Sequence, residues 1–235
     1  RSHGIQNVET VCQGIDPTRF HPAPRSGLFA HRFVIFSGGK LEYRKGQDIV
    51  IHAFRLFHQR HPDALLITAW HNIWPETMRG LERSGHVQGR PVLQSQGDGM
   101  DPTSNQTAMT QWLAKNGIPE TACLPLGPIP NHQVGQVVRE ADVALFPNRG
   151  EGGTNLAAME CLACGVPTIL SANSGHLDLI RAGMGYALEH QRPITGAGME
   201  TMGTDGWGES DVDEILERLE FCYQHRDEIR RKGLA

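Results

Sequence analysis

The chain has 235 residues, 39% of them apolar and 20% charged, with a formal net charge of −4. That length can bury a sizeable core and suits one domain or one and a half. The acidic balance and the lack of any basic run longer than Arg230-Arg231-Lys232 argue against nucleic-acid binding. No apolar run nears the roughly 18 residues that mark a membrane span, and Arg1-Ser2-His3-Gly4 shows no apolar signal-peptide core.

Five cysteines (Cys12, Cys123, Cys161, Cys164, Cys222) make an odd set without framework spacing, which points to a reducing compartment. Cys161 and Cys164 form a CxxC inside a helical pattern and read as buried and structural. The twelve histidines contain no HExxH, and His58 with His61 reads as a solvated pair at a helix end.

In chain order, Asn7–Cys12 predicts a short strand ending at Gly14, and Pro17, Pro22 and Pro24 make the next stretch a linker. Phe33–Phe36 predicts a strand closed by Gly38-Gly39. From Gly46 to His61, Ile49, Val50, Ala53, Phe54 and Phe57 recur at helical spacing, and Pro62 stops the helix. Ala64–Trp70 predicts a buried strand, and a short helix is expected near Glu76–Arg83. A helix over Thr103–Lys115, a strand over Cys123–Leu126 and a helix over His132–Glu140 follow. Beyond the central segment come a helix at Leu177–Ala182, a strand at Tyr186–Leu188 and a Gly-rich loop at Gly196–Gly208. Ser210 with Asp213 suggests a capping box for a last helix carrying Val212, Ile215, Leu216, Leu219 and Tyr223 on one face.

Residues 141–172, ADVALFPNRGEGGTNLAAMECLACGVPTILSA, carry the most information. A strand (Val143–Phe146) leads into a loop with Gly150, Glu151, Gly152 and Gly153. A helix pattern starts near Thr154, and a second strand runs from Pro167 to Leu170. Strand, glycine loop, helix and strand favour a parallel sheet with a right-handed crossover. Glycines ahead of a helix let backbone N–H groups approach an anion at the positive end of the helix dipole. Strands alternating with helices imply a doubly wound, Rossmann-like α/β domain with helices on both faces. Ligands then lie beyond the carboxyl ends of the strands, where the loops after Phe36, Leu126 and Phe146 should line one crevice.

The segment resembles the retaining glycosyltransferases of the GT-B fold, family 4 (group 1). Glu160, Ala163, Gly165 and Pro167 match the later part of the family pattern, and Glu151-Gly152 its start, with the two glutamates nine positions apart where the family has eight. QGIDPTRFHP (13–22) resembles the segment that follows the family's first domain. IFSGGKLEYRKGQD (35–48) resembles its phosphate loop, with Lys40 in place of an arginine and Lys45 matching the lysine. LPLGPIPNHQVGQVVREADV (124–143) is similar to the stretch that meets the base.

The resemblance implies the C-terminal half of a GT-B fold. Residues 1–24 would hold the last strand of an absent N-terminal domain and the linker, and residues 25–235 the nucleotide-sugar-binding domain. The chain would bind a nucleotide-diphosphate sugar for retaining transfer to a sugar, lipid or glycan acceptor held by the absent half, in polysaccharide or glycoconjugate synthesis. Alone, it would bind donor without transferring sugar. Lys40 and Lys45, with the amides of Gly153, Thr154 and Asn155, would meet the diphosphate. Glu160 would take the ribose hydroxyls, and Glu151 with Gly152 would lie near the transferred sugar. Gly39, Gly127 and Ile129 would complete the donor site, Pro128 and Pro130 offering no N–H to the base. Glu151, Lys45 and Lys40 are the catalytic candidates.

No metal and no cofactor are expected. Asp211 and Asp213 have DxD spacing but sit in a predicted first helical turn, where they read as a cap. Asp98 and Asp101 read as solvated. The location implied is cytoplasmic, or at the cytoplasmic face of a membrane. The alternatives are a non-catalytic nucleotide-sugar-binding module and a GT-B-type nucleotide-sugar epimerase. A Rossmann dehydrogenase is disfavoured because no GxGxxG follows the first strand.

Overall fold

The computed structural model describes residues 7, 9, 11, 13–72, 74–93, 102–194 and 204–234. The strand expected at Asn7–Cys12 falls largely outside these residues, as do Asp98, Asp101 and most of the Gly196–Gly208 loop.

Six strands form a parallel sheet in the order β3-β2-β1-β4-β5-β6. They are β1 (Phe33–Lys40), β2 (Ala64–His71), β3 (Cys123–Pro125), β4 (Val143–Phe146), β5 (Thr168–Ser171) and β6 (Tyr186–Leu188). Their Val/Ile/Leu/Phe-rich runs are covered on both faces, as a parallel sheet requires. One face packs against α1 (Gln47–Arg60), α2 (Pro102–Lys115), α6 (Val212–Gln224) and α7 (Arg226–Gly233), through Ile49, Phe54, Phe57, Trp112, Ile215, Leu219 and Ile229. The other packs against α3 (Asn131–Arg139), α4 (Leu156–Ala163) and α5 (His176–Arg181), through Val138, Ala158, Cys161 and Leu179. The doubly wound expectation holds.

The winding direction reverses between β1 and β4. The chain moves outward from β1 to β3, returns to pair β4 with β1, and then moves outward the other way. In open α/β sheets a ligand crevice opens beyond the carboxyl ends of the strands at such a switch point.

Several local expectations need correction. β1 is not closed by Gly38-Gly39. It runs on to Lys40, each residue in register with β2 as far as the pair Lys40–His71. Gly39 holds a φ of 123°, which lets the strand end swing over the crevice without a side chain. The helix expected from Thr154 begins at Leu156, with Asn155 as its N-cap accepting from the Ala158 amide. Ser210 is not a cap. It lies in β8 (Gly208–Ser210), antiparallel to β7 (Gln191–Pro193), a hairpin the sequence did not suggest. Asp211 is the N-cap of α6, accepting from the amides of Asp213 and Glu214, so the capping reading of the DxD pair stands. The short helix near Glu76–Arg83 is a 3₁₀ helix, Pro75–Arg83.

Cys161 and Cys164 are buried, as expected, and burial raises both thiols. His58 and His61 are not a solvated pair. The His61 ring lies tilted against Tyr223 with 3.9 Å between centroids and its Nε2 lies 2.8 Å from Glu220, while the buried Nδ1 of His58 has no hydrogen-bond partner among the described residues. The proline-rich stretch before β1 is pinned to the domain. Phe20 is buried in the α3/α4 layer, and Arg25 binds Asp142 at 2.7 Å and the Ala141 carbonyl at 2.6 Å.

Candidate functional site

The crevice at the switch point is a cleft of about 540 Å³. Its walls come from the loop after β1, the ends of β2 and β3, and the start of α4. Of the expected site residues, Gly39, Lys40, Lys45, Gly127, Ile129, Thr154, Asn155 and Glu160 line it. Segments more than a hundred positions apart therefore meet in one place.

The basic loop has a compact local cause. Tyr43–Lys45 form one 3₁₀ turn, closed by Gly46 at φ 68°, and α1 starts at Gln47. A Cβ on Gly46 would run into the carbonyl of Pro147, so glycine brings the loops after β1 and β4 together. Lys40 Nζ sits 3.1 Å from Glu42 and 4.7 Å from the centre of the exposed Trp74 ring. Arg44, which the sequence reading passed over, also lines the cleft. It spans Glu42 at 2.6 Å and Glu151 at 2.7 Å. Its place beside Lys45 in the same turn was the available signal. His71 lines the cleft too, because β2 extends one residue past its expected end.

Glu151 is not on the cleft wall. Its side chain is 5% exposed and sits behind Lys45, whose Nζ donates to it at 2.5 Å. Arg44 and the Asn148 side-chain amide also donate to it. Burial pushes this carboxyl up, but Lys45 and Arg44 outweigh burial and hold it below the ordinary carboxylate range. Burial likewise lowers the Lys45 ammonium, against the pull of Glu151. Gly152 and Gly153 are exposed on the loop beside the cleft. The Gly153 carbonyl abuts Gly175, where a Cβ would collide with it.

Glu160 differs from Glu151. It is half-buried on α4, lines the cleft, and makes no side-chain hydrogen bond or ion pair among the described residues. Burial alone raises its carboxyl. An acceptor left unspent in a cleft is available to a ligand's hydroxyls.

Arg149, two residues before Glu151 in the same loop, pairs with other carboxylates. It is completely buried and its guanidinium forks onto Asp48 at 2.6 and 2.8 Å, reaches Glu209 at 2.8 and 3.0 Å, and stacks 4.0 Å above the Tyr43 ring. Arg149 thus ties the Tyr43–Lys45 turn, α1 and the β7–β8 pair into one support. The loop after β5 supplies a second brace. Ser174, at φ 41°, accepts from the Glu151 amide at 2.7 Å, and Asn173 donates to the Asn148 carbonyl at 2.9 Å.

Residues 92–195 match the family model of the glycosyl transferases group 1. This group 1 match takes in Gly127, Ile129 and the stretch from Glu151 to Glu160 but not the Gly39–Lys45 loop, which the fold brings alongside. No curated protein matches the chain in sequence. Among solved structures, the chain is similar to the C-terminal domain of the glycosyl transferase group 1 family protein LpcC from Francisella tularensis. The identity is 16%, the coverage 94% of this chain and 95% of that one, and the TM-score 0.57. Anabaena HepE, solved with UDP and glucose, gives 16% identity, 94% and 48% coverage and a TM-score of 0.59. Sucrose-phosphate synthase from Thermosynechococcus elongatus gives 16% identity, 95% and 46% coverage and a TM-score of 0.57. These likenesses show the fold. The chain spans nearly all of the LpcC domain and about half the length of the other two. No helix among the described residues is long and apolar enough to cross a membrane.

Proposed function

We propose that the chain is the donor-binding domain of a retaining glycosyltransferase, holding a nucleotide-diphosphate sugar in the switch-point cleft. One observation carries this reading: a single cleft holds three cationic side chains, Lys40, Arg44 and Lys45, together with the carboxyl group of Glu160, which has no partner among the described residues. A nucleotide sugar presents the matching pair, a diphosphate and a cis-diol. The group 1 match and HepE's complex with UDP and glucose support the same choice.

In this reading Lys40, Lys45 and the amides leading into α4, those of Gly153, Thr154 and Asn155 and the uncapped ones of Leu156 and Ala157, bind the diphosphate. The amides at a helix start lack intrahelical partners and sit at the positive end of the dipole. Glu160 accepts from the ribose hydroxyls, and Gly127 and Ile129 meet the base beside Gly39. Glu151 acts through Lys45 and Arg44, holding both against the cleft where the transferred sugar and leaving phosphate come together. Transfer then proceeds by electrostatic stabilisation of the departing diphosphate and of an oxocarbenium-like sugar. The cations present serve without a metal ion. The acceptor side belongs to a partner domain, so this chain by itself binds donor and transfers nothing.

Calorimetric titration with uridine, guanosine and adenosine diphosphate sugars tests the reading. One nucleotide series should bind with one-to-one stoichiometry. Absence of binding across the whole panel would refute it.

A further inference from the structure

His176 heads α5, is completely buried, and belongs to no part of the site as described so far. Its two ring nitrogens are both engaged: Nδ1 lies 3.0 Å from Ser171 Oγ, and Nε2 lies 3.1 Å from Asn155 Nδ2. The direction of the chain of bonds is fixed by its ends. Ser171 spends its one proton on the Asn148 carbonyl, at 2.7 Å, so its oxygen must accept from His176. Nδ1 therefore carries the proton, and Nε2 is left as the acceptor for the Asn155 amide. That turns the Asn155 oxygen toward the Ala158 N–H, the cap of α4. The relay runs from the loop that carries Glu151, through β5 and α5, to a residue on the cleft wall.

We propose that His176 is a positioning residue of the donor site: as the neutral Nδ1–H imidazole it locks the Asn155 carboxamide and so aims the first turn of α4 at the diphosphate. The proposal rests on the donor reading above. A neutral ring suits the place. Burial lowers His176 to about 4, against the pull of Glu151 and with Lys45 and Arg44 also facing it. An imidazolium would offer Asn155 a second donor, and the carboxamide would have to flip and abandon Ala158. A glutamine can reproduce the Nε2 acceptor, whereas phenylalanine keeps the ring volume and loses both bonds.

The test compares uridine diphosphate with uridine on the full chain (or the corresponding guanosine or adenosine pair, if the titration panel selects that series). His176→Phe should weaken the diphosphate about tenfold and leave the nucleoside within twofold, and His176→Gln should recover most of the loss. Equal loss for both ligands, or none, overturns the proposal. If His176→Phe does not fold, ¹⁵N imidazole spectra of the native chain decide, with His176→Gln assigning the resonance. The Nδ1–H pattern, unchanged from pH 8 to pH 5, is expected, and an Nε2–H or imidazolium pattern overturns it. Failure of the native chain to bind any diphosphate would count against the donor reading instead, while the spectra still judge the relay.

Discussion

At the scale of single residues, two glutamates on one segment do opposite things. Glu151 is saturated by Lys45, Arg44 and Asn148, while Glu160 faces the cleft with its acceptors unspent. If Glu160 holds the ribose, Glu160→Gln should cost a nucleoside diphosphate about 1.5–3 kcal/mol, the range for hydrogen bonds to a charged group. A 2′,3′-dideoxy analogue should lose almost nothing. Equal losses in a parallel titration, with the fold intact by thermal melt, would return Glu160 to a structural role.

His176 gives a pH prediction with a definite sign. Its folded pKa lies near 4, against an ordinary 6.5. Between those values the unfolded chain takes up a proton that the folded chain refuses, so stability falls as pH drops from 6.5 to 4, by about 3 kcal/mol. Glu151 works in a lower window. Its stabilisation is present above the ordinary carboxylate pKa and is lost as pH falls through its depressed folded value. Urea midpoints of the native chain and His176→Gln, measured at pH 7 and pH 5, should converge as pH falls. Parallel slopes would contradict the assignment.

At the scale of elements, the buried arginine is the chief structural bet. Arg149→Met leaves Asp48 buried without its partner, which should cost about 3–5 kcal/mol of stability. The double change Arg149→Met with Asp48→Leu should recover much of that. A denaturant midpoint barely moved by the single change would show that the clamp contributes little. The same elements show what was legible in the sequence. Apolar runs such as Phe33–Phe36 and Val143–Phe146, and the spacing of Ile49, Ala53 and Phe57, announced strands and helices because a doubly wound sheet buries them on both faces. β7 and β8 were illegible because three-residue strands such as Gln191–Pro193 carry no alternation. Their support is Asn173 and Arg149, which are distant in sequence. Lys40, Lys45 and Glu160 were readable as types at family-like spacing. The fate of Glu151 was not, since it depends on where Arg44 and Asn148 end up in space. His176 gave no signal at all, for its role is defined by Ser171 and Asn155.

At the scale of the whole molecule, one sheet reversal gathers the loops after β1, β3 and β4 and the end of β2 into a single cleft, and everything proposed for this chain depends on that gathering. Because three side-chain cations and a helix start converge there, donor binding should be the same in excess chelator as with magnesium, to within a few-fold. A loss of tenfold or more on chelation would show that a metal ion supplies the positive charge. The central claim is that the cleft binds a nucleotide through its diphosphate, and titration of Lys45→Ala beside the native chain tests it most directly. The nucleoside diphosphate should lose about 1.5–3 kcal/mol of binding free energy, the scale of a charged hydrogen bond, while the nucleoside alone is nearly unaffected. Equal weakening of both ligands, or unchanged binding of the diphosphate, would contradict the account.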